Sequence, residues 1–349
     1  MNLQPGKISI TGLSPEQMET LLAENQIDKK HASRLLYWVY RRKITSFGEI
    51  DDIPKKVIEK LSELFETGIT PPYSSMESAD GSVKYLFRSA EGKYYESVYI
   101  PDGKRKTLCV SVQSGCRMGC HFCATGRYGW HGNLTAGEII SQVTCLPFEI
   151  THIVFMGMGE PCDNTDEVIK ACNILVAEWG LAKGRSNITI STVGVMPGLS
   201  KLLAHTECNI TLSLHTPYPE ERAAIMPVEK RWPAHALLEM IKTQKQQRKR
   251  RFTVAYVMID GVNDTDRHLE ALKELLAGTG IRVNLLPYHS LPGDTLKSAS
   301  EERMMFFKHF LVTSGTGASI RRSRGNDVYA ACGMLAASVA EEESKKNIK

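Results

Sequence analysis

Residues 116–123 read Cys-Arg-Met-Gly-Cys-His-Phe-Cys, so three cysteines fall within eight positions with the spacing C-x₃-C-x₂-C. Thiolates are the usual protein ligands of iron–sulfur clusters, and closely spaced cysteines let one loop wrap one face of a cluster. Three ligands on a four-iron cluster leave one iron without a protein ligand, free to bind a substrate or a cofactor. The spacing therefore predicts a [4Fe–4S] cluster on Cys116, Cys120 and Cys123.

Two other kinds of site would use the same three cysteines. A structural zinc ion could take His121 or a remote cysteine as its fourth ligand, but zinc sites usually join two closely spaced pairs, and this chain has no second pair. The loop could also hold free thiols, since free cysteine is often buried. The spacing favours the cluster, and both alternatives remain open at this point.

Length and composition limit the classes of protein to which the chain can belong. The chain has 349 residues, of which 42% are hydrophobic and 23% charged, which suits one large globular domain and a small accessory one. It has no run of about 18 apolar residues, and its first residues lack the apolar core of a signal peptide, so we expect no membrane span. Nine cysteines without a regular framework favour a reducing cytoplasm. A net charge of +4 permits an RNA partner without requiring one.

Residues 1–70 have the pattern of a small helical accessory domain. Ser14-Pro15-Glu16-Gln17 is a capping box with proline at the first helical position, and Pro54 opens a third helix after a second apolar stripe. The basic end Arg41-Arg42-Lys43 could contact RNA phosphates, although a solvated helix end would look the same. Residues 71–101 follow as a linker and an alternating β-hairpin.

Residues 102–349 alternate between strands and helices, which predicts the α/β class. Right-handed crossovers would curl six parallel strands into a partial (β/α)₆ barrel, followed by a seventh short strand and a last helix from Asp327. The predicted strands are Thr107–Val112, His152–Met156, Ile188–Thr192, Ile210–Leu214, Phe252–Ile259 and Val283–Pro287, with the short strand near Ser319–Arg322.

Polar motifs follow several of these strands. Ligands in parallel α/β folds bind beyond the carboxyl ends of the strands, so the motifs should converge on one rim. A carboxylate such as that of Glu160 could bind an ammonium group, and serine hydroxyls could bind a ribose or a carboxylate; a tight turn or backbone capping is the ordinary alternative. The motifs are the cysteine loop, Gly157-Met158-Gly159-Glu160-Pro161, Ser191-Thr192-Val193-Gly194, Ser213-Leu214-His215 and Pro287-Tyr288-His289.

Two remote cysteines and two basic runs complete the set of candidates. Cys109 lies on the first barrel strand, and Cys332 lies in Ala330-Ala331-Cys332-Gly333; taken alone, each would be a buried core thiol. Basic runs within residues 242–251 and 321–324 would neutralise phosphates, although a charged run is more often a solvated face. Two such runs favour a nucleic-acid substrate over a small metabolite.

Together the motifs resemble the RlmN/Cfr family of radical S-adenosylmethionine (SAM) RNA adenosine methyltransferases over nearly the whole chain. The resemblance implies a [4Fe–4S] cluster on the three loop cysteines and two SAM molecules per turnover. It is carried by Glu96-Ser97-Val98-Tyr99-Ile100-Pro101, Thr107-Leu108-Cys109-Val110-Ser111, the cysteine loop, Gly157-Met158-Gly159-Glu160-Pro161, Ser213-Leu214-His215, Gly261-Val262-Asn263-Asp264 and Asp327-Val328-Tyr329-Ala330-Ala331-Cys332-Gly333. The implied SAM contacts are Gly159, Glu160, Ser191, Ser213, Leu214, His215 and His289, the last in place of the family's usual asparagine.

The resemblance also implies the roles of three catalytic residues. Cys332 would be methylated by one SAM, and a radical from the second would take a hydrogen from that methyl group, so that the carbon radical adds to adenine. Glu96 would then remove the ring proton. Cys109 would attack Cys332 to form a transient disulfide that releases the methylated RNA, which suits a cytosolic enzyme.

The family has two branches, which methylate C2 or C8 of an adenosine in 23S ribosomal RNA. Glu160-Pro161 is similar to the C2 branch, whereas Pro217-Tyr218 is closer to the C8 branch, the antibiotic-resistance type; we favour C2. The resemblance further implies transfer RNA as a candidate substrate and an electron donor such as flavodoxin, and we expect a monomer. The alternative from another class is a non-catalytic, zinc-stabilised RNA-binding protein.

Overall fold

The computed structural model describes residues 6–245, 250–291 and 293–336. Residues 1–5, part of the N-terminus considered for a signal peptide, and residues 246–249 of the first basic run lie outside the described residues. Within the described ranges, no helix is long and apolar enough to cross a membrane.

The N-terminal unit is helical, as predicted. The Ser14 hydroxyl accepts from the Gln17 amide, and the Gln17 side chain accepts from the Ser14 amide at 2.9 Å, which confirms the capping box. The helices are α1 Pro15–Glu24, α2 Ala32–Tyr37, which continues as a π-helical turn over Trp38–Arg42, and α3 Lys55–Leu64. Two short parallel strands, β1 Ile8–Ser9 and β2 Phe65–Glu66, join the ends of the unit.

The rest of the described chain alternates between strands and helices. The strands are β3 Ser74–Glu77, β4 Val83–Arg88, β5 Tyr94–Asp102, β6 Arg105–Cys109, β7 Gln113–Gly115, β8 Trp130–Asn133, β9 His152–Phe155, β10 Ile188–Thr192, β11 Asn209–Ser213, β12 Phe252–Met258, β13 Arg282–Pro287 and β14 Ala318–Ile320. The helices are α4 Ala124–Tyr128, α5 Ala136–Thr144, α6 Thr165–Val176, α7 Met196–His205, α8 Pro219–Ile225, α9 Ala234–Lys245, α10 Asp266–Leu276 and α11 Glu301–Thr313. Every predicted barrel strand is confirmed to within a few residues at each end.

One mixed sheet organises the large domain. Its order is β14-β13-β12-β11-β10-β9-β6-β5-β4-β3, and the strands from β6 to β14 pair in parallel. The predicted hairpin is formed by β4 and β5, and it continues this sheet because β5 pairs with β6 in antiparallel register. In that register Val98 lies opposite Cys109, so the strand that carries Glu96 borders the strand that carries Cys109.

The sheet curls into an open barrel. Side chains of β5, of β14 and of the strands between them line one cavity of about 570 Å³. Three strands separate Arg105, at the start of β6, from Arg251, just before β12, in the order of the sheet. The charge of Arg251 nevertheless lowers the pKa of Arg105, so the two residues are close in space. Strand curvature therefore encloses a lumen, which confirms the partial barrel.

The predicted last helix is wrong within the described residues. From Asp327 the chain forms a single 3₁₀ turn, Asn326–Val328, and then an irregular segment through residue 336. Gly325 and Tyr329, on either side of the turn, both have a left-handed backbone conformation, which stops helix propagation. The Asp327 carboxylate accepts from Ser78 at 2.6 Å and from the Ala79 amide at 3.0 Å, so the segment is tied to the β3–β4 turn instead.

Candidate active site

The cysteine loop lies between two short strands, β7 and β8. Gly115 has a left-handed backbone (φ +75°), and a Cβ there would lie 1.7 Å from the carbonyl oxygen of Gly129, so only glycine fits the turn into the loop. The Cys116 amide donates to that same carbonyl at 2.8 Å. Gly126 lies under Cys120, where a Cβ would come within 3.1 Å of its backbone. The glycines thus let the loop fold back closely on itself.

The three thiols form a compact donor set. Cys116, Cys120 and Cys123 lie close enough for their charges to interact; burial raises the pKa of Cys116 to about 12 and holds that of Cys120 well above its ordinary value. Arg117, which lies within the loop, pairs with Asp163 at 2.9 Å and stacks on Trp130. Without a metal, burial disfavours the thiolates; a bound iron cluster would supply the missing positive charge. The donor set therefore fits the cluster.

The zinc alternative has no such support. In the part of the chain that the structure describes, no three His, Cys, Asp or Glu side chains converge as one metal ion requires. A cluster offers a separate iron to each thiolate, so its cysteines need not meet at one point.

The C-terminal segment is bound directly to this loop. The Ala124 amide donates to the Gly333 carbonyl at 2.7 Å, and the Thr125 hydroxyl donates to the Leu335 carbonyl at 2.6 Å. The segment that carries Cys332 is thereby held against the cysteine loop, although a long stretch of sequence separates them.

Cys109 and Cys332 line the same cavity, together with Arg321. None of the nine cysteines, all of which lie among the described residues, forms a disulfide in this structure. Burial first and nearby Cys332 second raise the pKa of Cys109 to about 12, and Arg321 partly opposes them. Cys332 and Cys109 in turn raise the pKa of the Arg321 guanidinium, although burial acts the other way. The structure thus brings the two predicted thiols together around one cation.

Glu96 is buried on β5, with 2% of its surface exposed. Its carboxylate pairs with the ammonium of Lys84 at 3.2 Å and accepts from the Ala336 amide at 3.2 Å, four positions after Cys332. Ser111 donates to its backbone carbonyl. Glu96 is therefore attached to the Cys332 segment, but it is not part of the lining of the cavity that holds the two thiols.

The glycine motif after β9 packs against the start of the cysteine loop. A Cβ on Gly157 would lie 2.7 Å from the Ser111 hydroxyl, and one on Gly159 would lie 2.5 Å from Gln113. The Met158 amide donates to Ser111 at 2.7 Å, and the Glu160 amide donates to Gln113 at 2.8 Å. The two glycines let the backbone of this motif lie directly against Ser111 and Gln113, and this contact places Glu160 at the rim.

The Glu160 carboxylate is already well bonded. It accepts from the amides of Cys162 at 2.8 Å and Val193 at 2.9 Å, and from the Thr192 hydroxyl. Burial raises the pKa of this carboxyl, and these hydrogen bonds oppose the rise. The Cys162 thiol also bonds to this carboxylate, so the four contacts use the roughly four acceptor positions that a carboxylate offers. The structure gives Glu160 a loop-tying role that the sequence did not indicate.

The remaining predicted SAM contacts lie on neighbouring strand ends. Ser191 and Ser213 are half-buried on β10 and β11, and neither hydroxyl bonds to another described residue. The buried His215 ring accepts from the Val257 amide at 3.0 Å through Nδ1, so the proton is on Nε2, and burial lowers its pKa to about 3. His289 lines the thiol cavity, beside the Ser323 hydroxyl at 3.2 Å, and burial lowers its pKa.

Arg222 is a site residue that sequence reasoning missed. It is fully buried, pairs with Glu229, and donates to the carbonyls of Leu214, Ser213 and Val193 at 2.8–3.1 Å. One arginine therefore joins the ends of β10 and β11. A single arginine on a short helix carries no sequence signal for this role.

The chain was compared with known families and structures. Residues 110–276 match the model of the Radical SAM superfamily, and residues 8–67 match that of the ribosomal RNA large subunit methyltransferase N-terminal domain. A probable dual-specificity RNA methyltransferase RlmN from Parabacteroides distasonis is 42% identical over 94% of this chain and 96% of its own. The dual-specificity RNA methyltransferase RlmN of Saccharophagus degradans is 35% identical over 98% and 89%, respectively.

A solved structure gives the same assignment. The crystal structure of a radical SAM methyltransferase from Sphaerobacter thermophilus superposes with a TM-score of 0.89, at 34% identity, over 95% of this chain and 99% of that chain. Its cofactors are a [4Fe–4S] cluster and SAM. The protein belongs to the RlmN family of radical SAM RNA methyltransferases.

Proposed function

We propose that the protein methylates C2 of an adenosine in 23S ribosomal RNA, and that transfer RNA is its second substrate. The observation that carries the proposal is the placement of Cys109 and Cys332 in one cavity, beside the cysteine loop. The N-terminal match to a large-subunit ribosomal RNA methyltransferase domain supports the first substrate. The dual specificity of the relatives supports a second RNA class.

Cys116, Cys120 and Cys123 would hold the cluster, and the rim residues would hold SAM. When bound, these cofactors supply the electron, the methyl group and the radical that activates it. Glu160 would bind the SAM ammonium in exchange for a present contact such as that to the Cys162 thiol, and Ser191 and Ser213 offer hydroxyls that bond to no other described residue. His215 stays neutral near neutral pH and offers its Nε2 proton as a donor.

The thiols carry the methyl carbon to the RNA. Cys332 holds it as a thioether and becomes joined to the adenine through it. Glu96 accepts the proton lost from the ring carbon, and the one electron lost with that proton would return to the redox group that Cys116, Cys120 and Cys123 hold. The Cys109 thiolate then attacks the Cys332 sulfur, so that a sulfur–sulfur bond forms and the sulfur–carbon bond breaks. The electron pair stays on the released carbon, which takes up a proton to become the methyl group. An external reductant must then restore both thiols.

The C8 alternative is not favoured, since the matching relatives are RlmN proteins and the N-terminal match is to the ribosomal RNA methyltransferase domain. We further propose a cytoplasmic monomer that takes its electrons from a flavodoxin-type donor.

Nucleoside mass spectrometry tests the proposed function. The reconstituted enzyme, incubated with SAM, a reductant and ribosomal or transfer RNA, should yield 2-methyladenosine from both RNAs. A product methylated at C8 would transfer the chain to the other branch. An enzyme that cleaves SAM but leaves both RNAs unmodified would contradict the proposed substrates.

A further inference from the structure

The barrel lumen is polar where many barrels are filled with apolar side chains. Its middle is lined by small hydroxyl and amide side chains, whereas large apolar side chains fill a closed barrel. The polar lining residues are Thr107, Thr189, Thr211, Thr253, Asn284 and Ser319. The result is an open cavity of about 570 Å³ with hydrogen-bonding walls. One end of this lumen holds the catalytic thiols, and the proposed function leaves the other end without a role.

Three arginines surround that other end. Arg105 and Arg282 are the first residues of β6 and β13, and Arg251 directly precedes β12, so all three mark the N-terminal mouth of the barrel. All three are exposed. None forms an ion pair with another described residue, and Asp102, the sole carboxylate among the lining residues of the described chain, is paired with Arg324.

Positive charge is concentrated at this mouth and is only partly neutralised. Partial burial and then repulsion from Arg321 and Arg251 lower the pKa of Arg105, and Asp102 compensates only in part. Uncompensated guanidinium groups that face one opening are a ready site for phosphate, which they can bind bidentately. The charge and the opening together indicate an anionic ligand.

The depth of the lumen fits one nucleotide. Arg105 and Cys109 are the two ends of β6, four residues apart, which corresponds to about 13 Å along a strand. A nucleotide whose phosphate lies at the mouth would extend its base through the Thr-lined middle toward Cys109 and Cys332. Hydroxyl and amide groups there could bond to the base edge.

We propose that the N-terminal mouth of the barrel binds phosphodiester groups of the RNA substrate through Arg105, Arg251 and Arg282, so that the target adenosine enters the lumen from this end. The proposal rests on the proposed function for the identity of the RNA. A free anion such as inorganic phosphate shares the chemistry, but three separate arginines around an open mouth match successive phosphates of a strand better than one small ion.

RNA binding to the cluster-loaded full chain tests the proposal without requiring turnover. The variant Arg251→Gln/Arg282→Gln should bind a labelled RNA hairpin at least about tenfold more weakly in fluorescence anisotropy, because two charged contacts are lost. The slope of log affinity against log salt should become shallower by about one for each lost contact. The control Lys273→Gln removes a charge from helix α10, where it pairs with Glu270, and should leave both values unchanged.

Further arms separate the outcomes. Iron content and visible absorption must match the wild type, and Arg105→Gln serves if the double variant does not fold. Arg251→Lys/Arg282→Lys should restore part of the affinity. Unchanged RNA affinity in the Gln variants overturns the proposal, even if inorganic phosphate competes with RNA in the wild type. If the wild type binds RNA but makes no methyladenosine, the proposed function is overturned. The proposal about the mouth is then still tested, because it depends only on the comparison of RNA affinities.

Discussion

The amide of Ala124 donates a hydrogen bond of 2.7 Å to the carbonyl oxygen of Gly333. This contact joins the first residue after the cluster cysteines to the residue after Cys332. The part of the loop that should bind the cluster and the segment that should carry the methyl group are therefore one structural unit. A substitution in the cysteine loop can therefore be checked for its effect on the Cys332 segment, and a substitution at Cys332 can be checked for its effect on the loop.

Replacing Cys109 by alanine should trap an RNA–protein adduct. Without its thiolate, the bond between Cys332 and the RNA carbon cannot be exchanged for a disulfide. A denaturing gel should show a shifted band that needs both SAM and RNA, and peptide mapping should place the RNA on Cys332. Cys145→Ala changes a partly buried thiol outside the cavity and is the matched control. Normal turnover by Cys109→Ala would exclude the disulfide step.

Replacing Cys332 by alanine should abolish RNA methylation while the iron content stays that of the wild type. Cys332 lines the thiol cavity, whereas the proposed cluster ligands belong to the loop at 116–123. Iron analysis and visible absorption of the anaerobically purified variant measure the second half of this statement. Loss of iron would instead make Cys332 part of the cluster site.

Lys84→Met should destabilise the protein. The pair of Lys84 with Glu96 is buried, and removing one partner of such a pair typically costs about 3–5 kcal/mol. Lys93→Met breaks a pair with exposed Glu91 and should cost about 1 kcal/mol or less. Urea unfolding compares the two variants. Equal losses would show that the buried pair has no special weight.

His215 should make the protein less stable in mild acid. Its folded pKa, about 3, lies below the ordinary value of 6.5, because burial first and Arg222 second disfavour the charged ring. The unfolded chain then binds more protons between these values, so stability falls as the pH drops below about 6.5 and is unaffected above it. From pH 7 to pH 5 the loss should be about 2 kcal/mol.

A variant and a control isolate this contribution. His215→Asn should flatten the pH dependence of the urea midpoint between pH 7 and pH 5, whatever its effect on absolute stability. His205→Gln replaces an exposed histidine at the end of α7 and should leave the pH dependence as in the wild type. An unchanged slope in His215→Asn would mean that other groups account for the acid sensitivity.

The strands were predictable because parallel barrel strands are short apolar runs between helical patterns. The cysteine loop was predictable from spacing alone. Cys109 and Cys332 were identified only through family resemblance, since each is a single thiol in an apolar segment. Lys84, Arg222 and Arg321 acquire their site roles from contacts between distant segments, which no local pattern encodes.

The helix predicted from Asp327 shows the same limit. Local composition there suits a helix, but the Asp327 carboxylate is used by the β3–β4 turn, and left-handed residues flank it. A tertiary contact thus overrides local propensity. The irregular backbone that results allows Gly333 and Ala336 to reach the cysteine loop and Glu96.

Arg321→Gln should slow the release of RNA rather than the loading of Cys332. The guanidinium lies near both thiols and opposes the burial that raises the pKa of Cys109 to about 12. Without it, less Cys109 thiolate is available to attack, so the RNA adduct should accumulate during turnover. Because Cys109 is mostly protonated in both proteins, the rate of adduct decay should rise with pH in both, and it should be lower in Arg321→Gln at every pH. Arg321→Lys keeps the charge and should accumulate less adduct. Quenched time courses on denaturing gels measure adduct and product together. Loss of product without adduct would place Arg321 in RNA binding instead.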